Sequence, residues 1–190
     1  DGKLHYYENT AGAGNQANFV LNGPNYFLID VGHFAYPTLY DVDNDSLLDL
    51  IIGDKTGLLD FYKNYGTILG PNFILEKDTF GGVDVTSTGY NDGYSTPHFS
   101  YLDTTQELCL MVGSESGNIY IYKGIENNLL GDFVCVDTLD LFEGKKVAVS
   151  AADIDNDQKL ELLVGNFRGG ISLYQSTDIV PVYVKTVNTG

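Results

Sequence analysis

The chain has 190 residues, 43% of them hydrophobic and 13% aromatic, which is enough for a packed core and excludes disorder as the resting condition. Its 26 acidic residues against 10 Lys and Arg give a net charge of −16, excluding a nucleic-acid partner because nothing could neutralise a row of phosphates. No apolar run is long enough to span a bilayer, so no membrane insertion is expected.

Short runs of Val, Ile, Leu, Tyr and Phe bounded by Gly, Asn and Asp recur along the whole chain. No ten-residue stretch keeps a helical period, so the expected fold class is all-β. The first run, Gly2-Lys3-Leu4-His5-Tyr6-Tyr7-Glu8-Asn9, returns as Gly57 to Asn64, as Gly117 to Gly124 and as Gly169 to Ser176. Its tyrosines, Tyr7, Tyr62, Tyr122 and Tyr174, are 55, 60 and 52 residues apart. Other landmarks keep the same phase. Apolar runs ending in Gly53, Gly113 and Gly165 precede the last three copies, Phe19, Phe73 and Phe133 mark a later strand, and Pro37 to Leu39 and Pro97 to Phe99 mark an earlier one.

Each unit therefore holds about four short strands, the make-up of one antiparallel β-propeller blade. The units run roughly over residues 1–33, 34–93, 94–144 and 145–176, and 177–190 reads as a linker or the start of a following domain. The chain opens on the third strand of a unit and supplies about three blades, fewer than the four to eight of a closed ring, so it is expected to be part of a larger propeller completed by other blades or a partner chain. With Asp1 in first place and no signal peptide, it is also expected to be a processed or excised piece. Cys109 and Cys135 fall on the second and fourth strands of one unit, too far apart for an easy bridge; both are expected free and buried.

Two segments carry a denser signal. Twelve residues before Gly53, Asp41 opens Asp41-Val42-Asp43-Asn44-Asp45-Ser46-Leu47-Leu48-Asp49. Twelve before Gly165, Asp153 opens Asp153-Ile154-Asp155-Asn156-Asp157-Gln158-Lys159-Leu160-Glu161. Both place acids at positions 1, 3, 5 and 9. Odd positions of a tight turn can point inward together, and hard oxygen ligands suit Ca²⁺. The carbonyl of position 7, Leu47 or Lys159, is the expected fifth protein ligand. A pair of like charges at about 4 Å repels by about 4 kcal/mol at an effective dielectric of 20, a conflict that a divalent cation removes. Position 12 is Ile52 or Val164 within strand-like sequence, so neither segment is an EF-hand. Asn44-Asp45-Ser46 is a formal glycosylation sequon but lies inside the first acidic segment.

Asp-x-Asp-x-Asp-x-x-x-Asp/Glu, an apolar run ending in Gly, then Gly-x-apolar-x-x-Tyr resembles FG-GAP/VCBS repeats, the blades of integrin-like β-propellers. The resemblance covers nearly all of the chain up to Ser176. It implies Ca²⁺ ligands at Asp41, Asp43, Asp45 and Asp49 and at Asp153, Asp155, Asp157 and Glu161, two sites in all. The glycine usual at position 6 is replaced by Ser46 and Gln158, so the turn there must form without glycine's freedom. In the middle unit the matching positions are Tyr101, Asp103, Thr105 and Cys109, and no calcium is expected. Gly165 to Gly170 also resembles the end of repeat regions in secreted Bacteroidetes proteins that precede a type IX secretion sorting domain.

His5, His33 and His98 are scattered with no phased Asp or Ser partner, and Ala11-Gly12-Ala13-Gly14 has no basic anchor for phosphate, so no catalysis is expected. Two function classes remain. One is a non-catalytic, calcium-stabilised module of a secreted or cell-surface protein that recognises a protein or glycan. The other is a scaffold propeller within a larger secreted enzyme or a secretion-linked assembly.

Overall fold

The computed structural model describes residues 2–102, 107–141 and 144–175. The segment expected to be a linker, 177–190, lies outside them. Among the described residues the fold is all-β, with one turn of 3-10 helix at Tyr26–Leu28 and no α-helix.

The strands form four antiparallel sheets in chain order, each a simple meander. The first sheet pairs β1 (His5–Asn9) with β2 (Phe19–Pro24). The second contains β3 (Tyr36–Tyr40), β4 (Asp49–Gly53), β5 (Leu59–Asn64) and β6 (Phe73–Lys77). The third contains β7 (Thr96–Tyr101), β8 (Leu108–Gly113), β9 (Asn118–Lys123) and β10 (Val134–Asp140). The fourth contains β11 (Ala148–Ala152), β12 (Glu161–Gly165) and β13 (Ile171–Gln175).

The strand registers repeat. Leu50 pairs with Tyr62, Leu110 with Tyr122, and Leu162 with Tyr174, so the repeat tyrosine meets the same apolar position in three sheets. Register also slips at one place on the outer strand. Opposite the repeat tyrosine, Asn22, Glu76 and Val136 are each skipped, bulging β2, β6 and β10. A bulge bends and twists an edge strand, which protects it from further pairing.

Side chains alternate between two interfaces. On β4, Leu50 and Ile52 pack with Ile29 under the first sheet, while Ile51 joins Phe61, Phe99, Leu110 and Val112 against the third. On β8, Leu110 and Val112 face the second sheet, while Cys109 and Met111 join Val149, Leu162 and Val164 in the fourth. Burial on both faces is why these strands read as continuous apolar runs. Cross-links repeat too. The Thr38 hydroxyl donates to the Pro97 carbonyl at 2.8 Å, and at the matching position His98 Nε2 accepts from the Ala151 amide at 3.0 Å. Where the chain enters each later sheet, Phe34, Tyr94 and Lys146 all take positive φ and stack, with the two rings 4.8 Å apart and Lys146 Nζ 3.5 Å from the Tyr94 ring centre.

Cys109 and Cys135 are free, as expected, but only Cys109 is buried. Cys135 is exposed because β10 is an outer strand whose face turns to solvent next to its bulge.

Candidate metal centres

The two acidic segments form the turns between β3 and β4 and between β11 and β12, and their backbones match residue for residue. Asp41 Oδ1 accepts from the Asp45 amide at 3.1 Å and Oδ2 from the Ser46 amide at 2.9 Å. Asp153 accepts from the Asp157 and Gln158 amides at 3.1 and 3.0 Å. Asp43 and Asp155 each accept at 3.2 Å from the position-5 amide. The position-7 amides, Leu47 and Lys159, each donate at 2.9 Å to the position-5 carboxylate. These short side-chain to backbone bonds coil the turn and draw its carboxylates together. Positions 4 and 6 carry positive φ in both turns: 59° and 71° at Asn44 and Ser46, 60° and 70° at Asn156 and Gln158. Asn tolerates that region, whereas Ser46 and Gln158 hold it where glycine is usual, so the turn forms at the cost of strain.

Candidate ligand oxygens lie within 4.8 Å of one another in two groups, Asp41 with Asp43 and Asp45, and Asp153 with Asp155 and Glu161. The position-9 acids differ. Asp49 is fully buried, with Oδ1 accepting from the Asn64 amide at 2.8 Å and Oδ2 from the Val42 amide at 3.4 Å. Burial pushes its carboxyl above the ordinary range; the two amides oppose that shift, and Asp45 and Asp41 add to it. Glu161 is 3% exposed, its Oε2 accepting from the Ile154 amide at 2.9 Å. Its Oε1 is buried with no hydrogen-bond partner among the described residues. The position matching Asn64, Ser176, lies outside them.

An unpartnered buried carboxylate oxygen costs about 1–3 kcal/mol or more, because its water is gone and nothing replaces it. The donor set therefore fits a hard divalent cation: Asp153, Asp155 and Glu161 converge in the second turn, with Asp157 beside them. In the first turn Asp41, Asp43 and Asp45 converge, and Asp49 stands at their base held by amides.

The charge around the two turns also differs. Lys63 Nζ on β5 contacts Asp43 Oδ2 and lies 3.2 Å from Asp45 Oδ2. At the matching position on β13, Gln175 Nε2 is 3.5 Å from Asp155 Oδ2. Lys159 Nζ is 3.7 Å from Asp157 Oδ2, outside the converging trio. Nothing in the local Asp-x-Asp pattern marks Lys63. Only its place directly after the repeat tyrosine does.

In the third sheet, Asp103 and Thr105 lie outside the described residues. Cys109 takes the position-9 place and is buried. Among the described residues there is no third acidic group of this kind. The histidines stay scattered: His5 and His33 are exposed, while His98 is a half-buried acceptor whose pKa is lowered by desolvation. Tyr62, Tyr122 and Tyr174 are buried in the sheets, whereas Tyr7 is exposed. Among the described residues no helix is long and apolar enough to cross a membrane.

No protein-family model, characterised protein or solved structure matches the chain.

Proposed function

We propose that this chain is a non-catalytic, calcium-stabilised portion of a β-propeller in a secreted or cell-surface protein, with blades of the FG-GAP/VCBS type. Its propeller surface would serve recognition of a protein or glycan. The observation that carries the calcium reading is Glu161, whose buried Oε1 has no hydrogen-bond partner among the described residues and whose carboxylate offers an oxygen within 4.8 Å of those of Asp153 and Asp155. Two turns with the same hydrogen bonds at the same phase of a repeat support one shared use.

Calcium in these turns is structural. Each turn joins two strands whose positions the ion would pin, so binding energy becomes folding energy. Sites of modest affinity suit millimolar extracellular calcium, which supports a secreted or surface setting and accords with the resemblance to type IX secretion substrates.

Part of the propeller reading rests on what is left uncovered. A Cβ on Gly53 or Gly113 would come within 2.2 Å of a backbone oxygen of the next sheet's entry, Ser95 or Val147, so only glycine fits there. At the matching Gly165 nothing among the described residues lies within 4 Å of such a Cβ. Leu163 and Ile171 in the fourth sheet, and Phe19 and Leu21 in the first, are exposed apolar side chains. Further blades, in the same polypeptide or a partner chain, would cover these faces. The same faces favour the second reading, a scaffold propeller in a larger secreted enzyme or secretion-linked assembly.

Calorimetric titration of the calcium-stripped chain tests the proposal. Heat of binding is expected, and it should disappear when Asp41→Ala and Asp153→Ala are combined. A wild-type chain that binds no calcium at millimolar concentrations would rule the reading out. A glycan array on the complete protein separates recognition from scaffolding, since a scaffold gives no reproducible glycan signal.

A further inference from the structure

The residue after the repeat tyrosine sits over the strand-connecting turn of its own sheet. In the second sheet it is Lys63, and in the fourth Gln175. In the third it is Lys123, whose Nζ lies 3.1 Å from Glu107 Oε2 in a turn that has Cys109 at position 9. In the second and third sheets this position delivers a cation to the turn, and in the fourth a neutral amide.

The geometry points to Lys63 as a tethered cation that competes with a divalent ion for the first acidic turn, making the two turns unequal calcium sites. This rests on the proposed calcium reading and deepens it. The fourth-sheet turn takes the ion directly, and the second-sheet turn takes it only by displacing Lys63.

Three observations carry the inference. First, Lys63 touches two members of the converging trio, Asp43 and Asp45, from a side chain only 23% exposed. An ammonium and a calcium ion that needs six to eight oxygens at 2.3–2.6 Å cannot share the space between those carboxylates. Second, among the described residues no ammonium group touches the fourth-sheet trio as Lys63 touches the first. Gln175 brings a neutral amide to Asp155, Lys159 Nζ lies 3.7 Å from Asp157 Oδ2, and Glu161 Oε1 has no hydrogen-bond partner among the described residues. Third, a displaced Lys63 has somewhere to go. Its Nζ already lies 5.7 Å from the centre of the Tyr65 ring, which the Tyr65 hydroxyl anchors through a 2.7 Å bond to Glu76 Oε1.

The first turn is therefore partly neutralised from within and keeps its shape without calcium, while the second depends on the ion. In low calcium the second sheet stays closed at its turn when the fourth loosens.

Calcium titration of the chelator-stripped 190-residue chain, with parallel melting curves, tests this. Asp153→Asn silences the second turn and isolates the first. In that background, Lys63→Gln should tighten calcium binding by roughly tenfold or more, because a positive charge no longer has to be moved aside. With the first turn silenced by Asp41→Asn, Gln175→Lys should weaken calcium binding by a similar factor. Without calcium, Lys63→Gln should lower the melting temperature and Gln175→Lys should raise it. Should Lys63→Gln fail to fold, Gln175→Lys still decides the matter through the second turn. Calcium affinities that stay within about twofold of their backgrounds in both variants would overturn the tethered cation while leaving the calcium reading intact. Absence of calcium binding in every protein, wild type included, would overturn both.

Discussion

The second and fourth sheets share strand register, turn spacing and turn backbone, and they part company in what lies against them. Ile51 and Leu163 occupy one repeat position, as do Leu59 and Ile171. Ile51 and Leu59 are fully covered, whereas Leu163 and Ile171 are 38% and 70% exposed. The turns divide the same way. Asp49 has both carboxylate oxygens bonded to amides and Lys63 above its trio, while Glu161 keeps one oxygen unpartnered among the described residues. Local sequence sets the shape of a turn, but neighbours distant in sequence set its charge balance and stability.

Truncation at the shared core position should separate the sheets most. Ile51→Ala is expected to cost about 3 kcal/mol in denaturant unfolding, and Leu163→Ala about 1 kcal/mol or less, because the second site is not enclosed. An equal cost at both would mean that another surface covers the fourth sheet in solution.

The position-9 acids should respond next most strongly, and in opposite directions. Without calcium, Asp49→Asn leaves one buried amide without its carboxylate acceptor and should destabilise by about 1–3 kcal/mol. Glu161→Gln, which takes the charge off a buried carboxylate with one oxygen unpartnered among the described residues and leaves an oxygen for the Ile154 amide, should be neutral or stabilising without calcium and should lose the calcium response of the second turn. Destabilisation of similar size in both variants without calcium would erase the contrast between the turns.

A third difference lies on the strand beyond. Asp60 on β5 matches Ser172 on β13, each facing the residue just before the glycine that ends the neighbouring strand. Burial pushes the Asp60 carboxyl up to about 6, and repulsion from Asp54 and Asp78 adds to the shift. The folded chain thus binds this proton more tightly than the unfolded chain, so its contribution to stability grows as pH falls from about 7 toward 4. Asp60→Asn should remove that rise and stabilise at pH 7 by about 1 kcal/mol, and Ser172→Asn should leave the pH profile unchanged. Matching pH profiles for wild type and Asp60→Asn would dismiss this assignment.

The smallest expected effect compares the turns where they agree. Ser46→Gly and Gln158→Gly each relieve a positive φ and should stabilise by up to about 1 kcal/mol, equally in the two sheets. Unequal gains, read from calcium-free melting curves, would show that the surroundings and not the turn fix this backbone.

Much of this was legible in the chain itself. The tyrosine spacing foretold the register that joins Leu50 to Tyr62, Leu110 to Tyr122 and Leu162 to Tyr174. Acids at alternate positions foretold the converging carboxylates, because an Asp side chain two residues back is within reach of a turn amide. What escaped was non-local. Lys63 is 18 and 20 residues from the aspartates it meets, and its side chain has no pattern of its own. The exposure of Cys135 depends on a bulge, which inserts a residue without a sequence mark. Left-handed backbone at Phe34 and Tyr94 has no local signal either, since those residues avoid it unless stacking holds them there.

Thermal unfolding with calcium and with chelator, on the wild-type chain and on the combined Asp41→Ala and Asp153→Ala variant, tests the central claim most directly. The structural-calcium account predicts a melting temperature that rises with calcium in the wild type, falls back on chelation, and does not respond in the variant. A rise that persists in the variant, or a wild type indifferent to calcium, would contradict it.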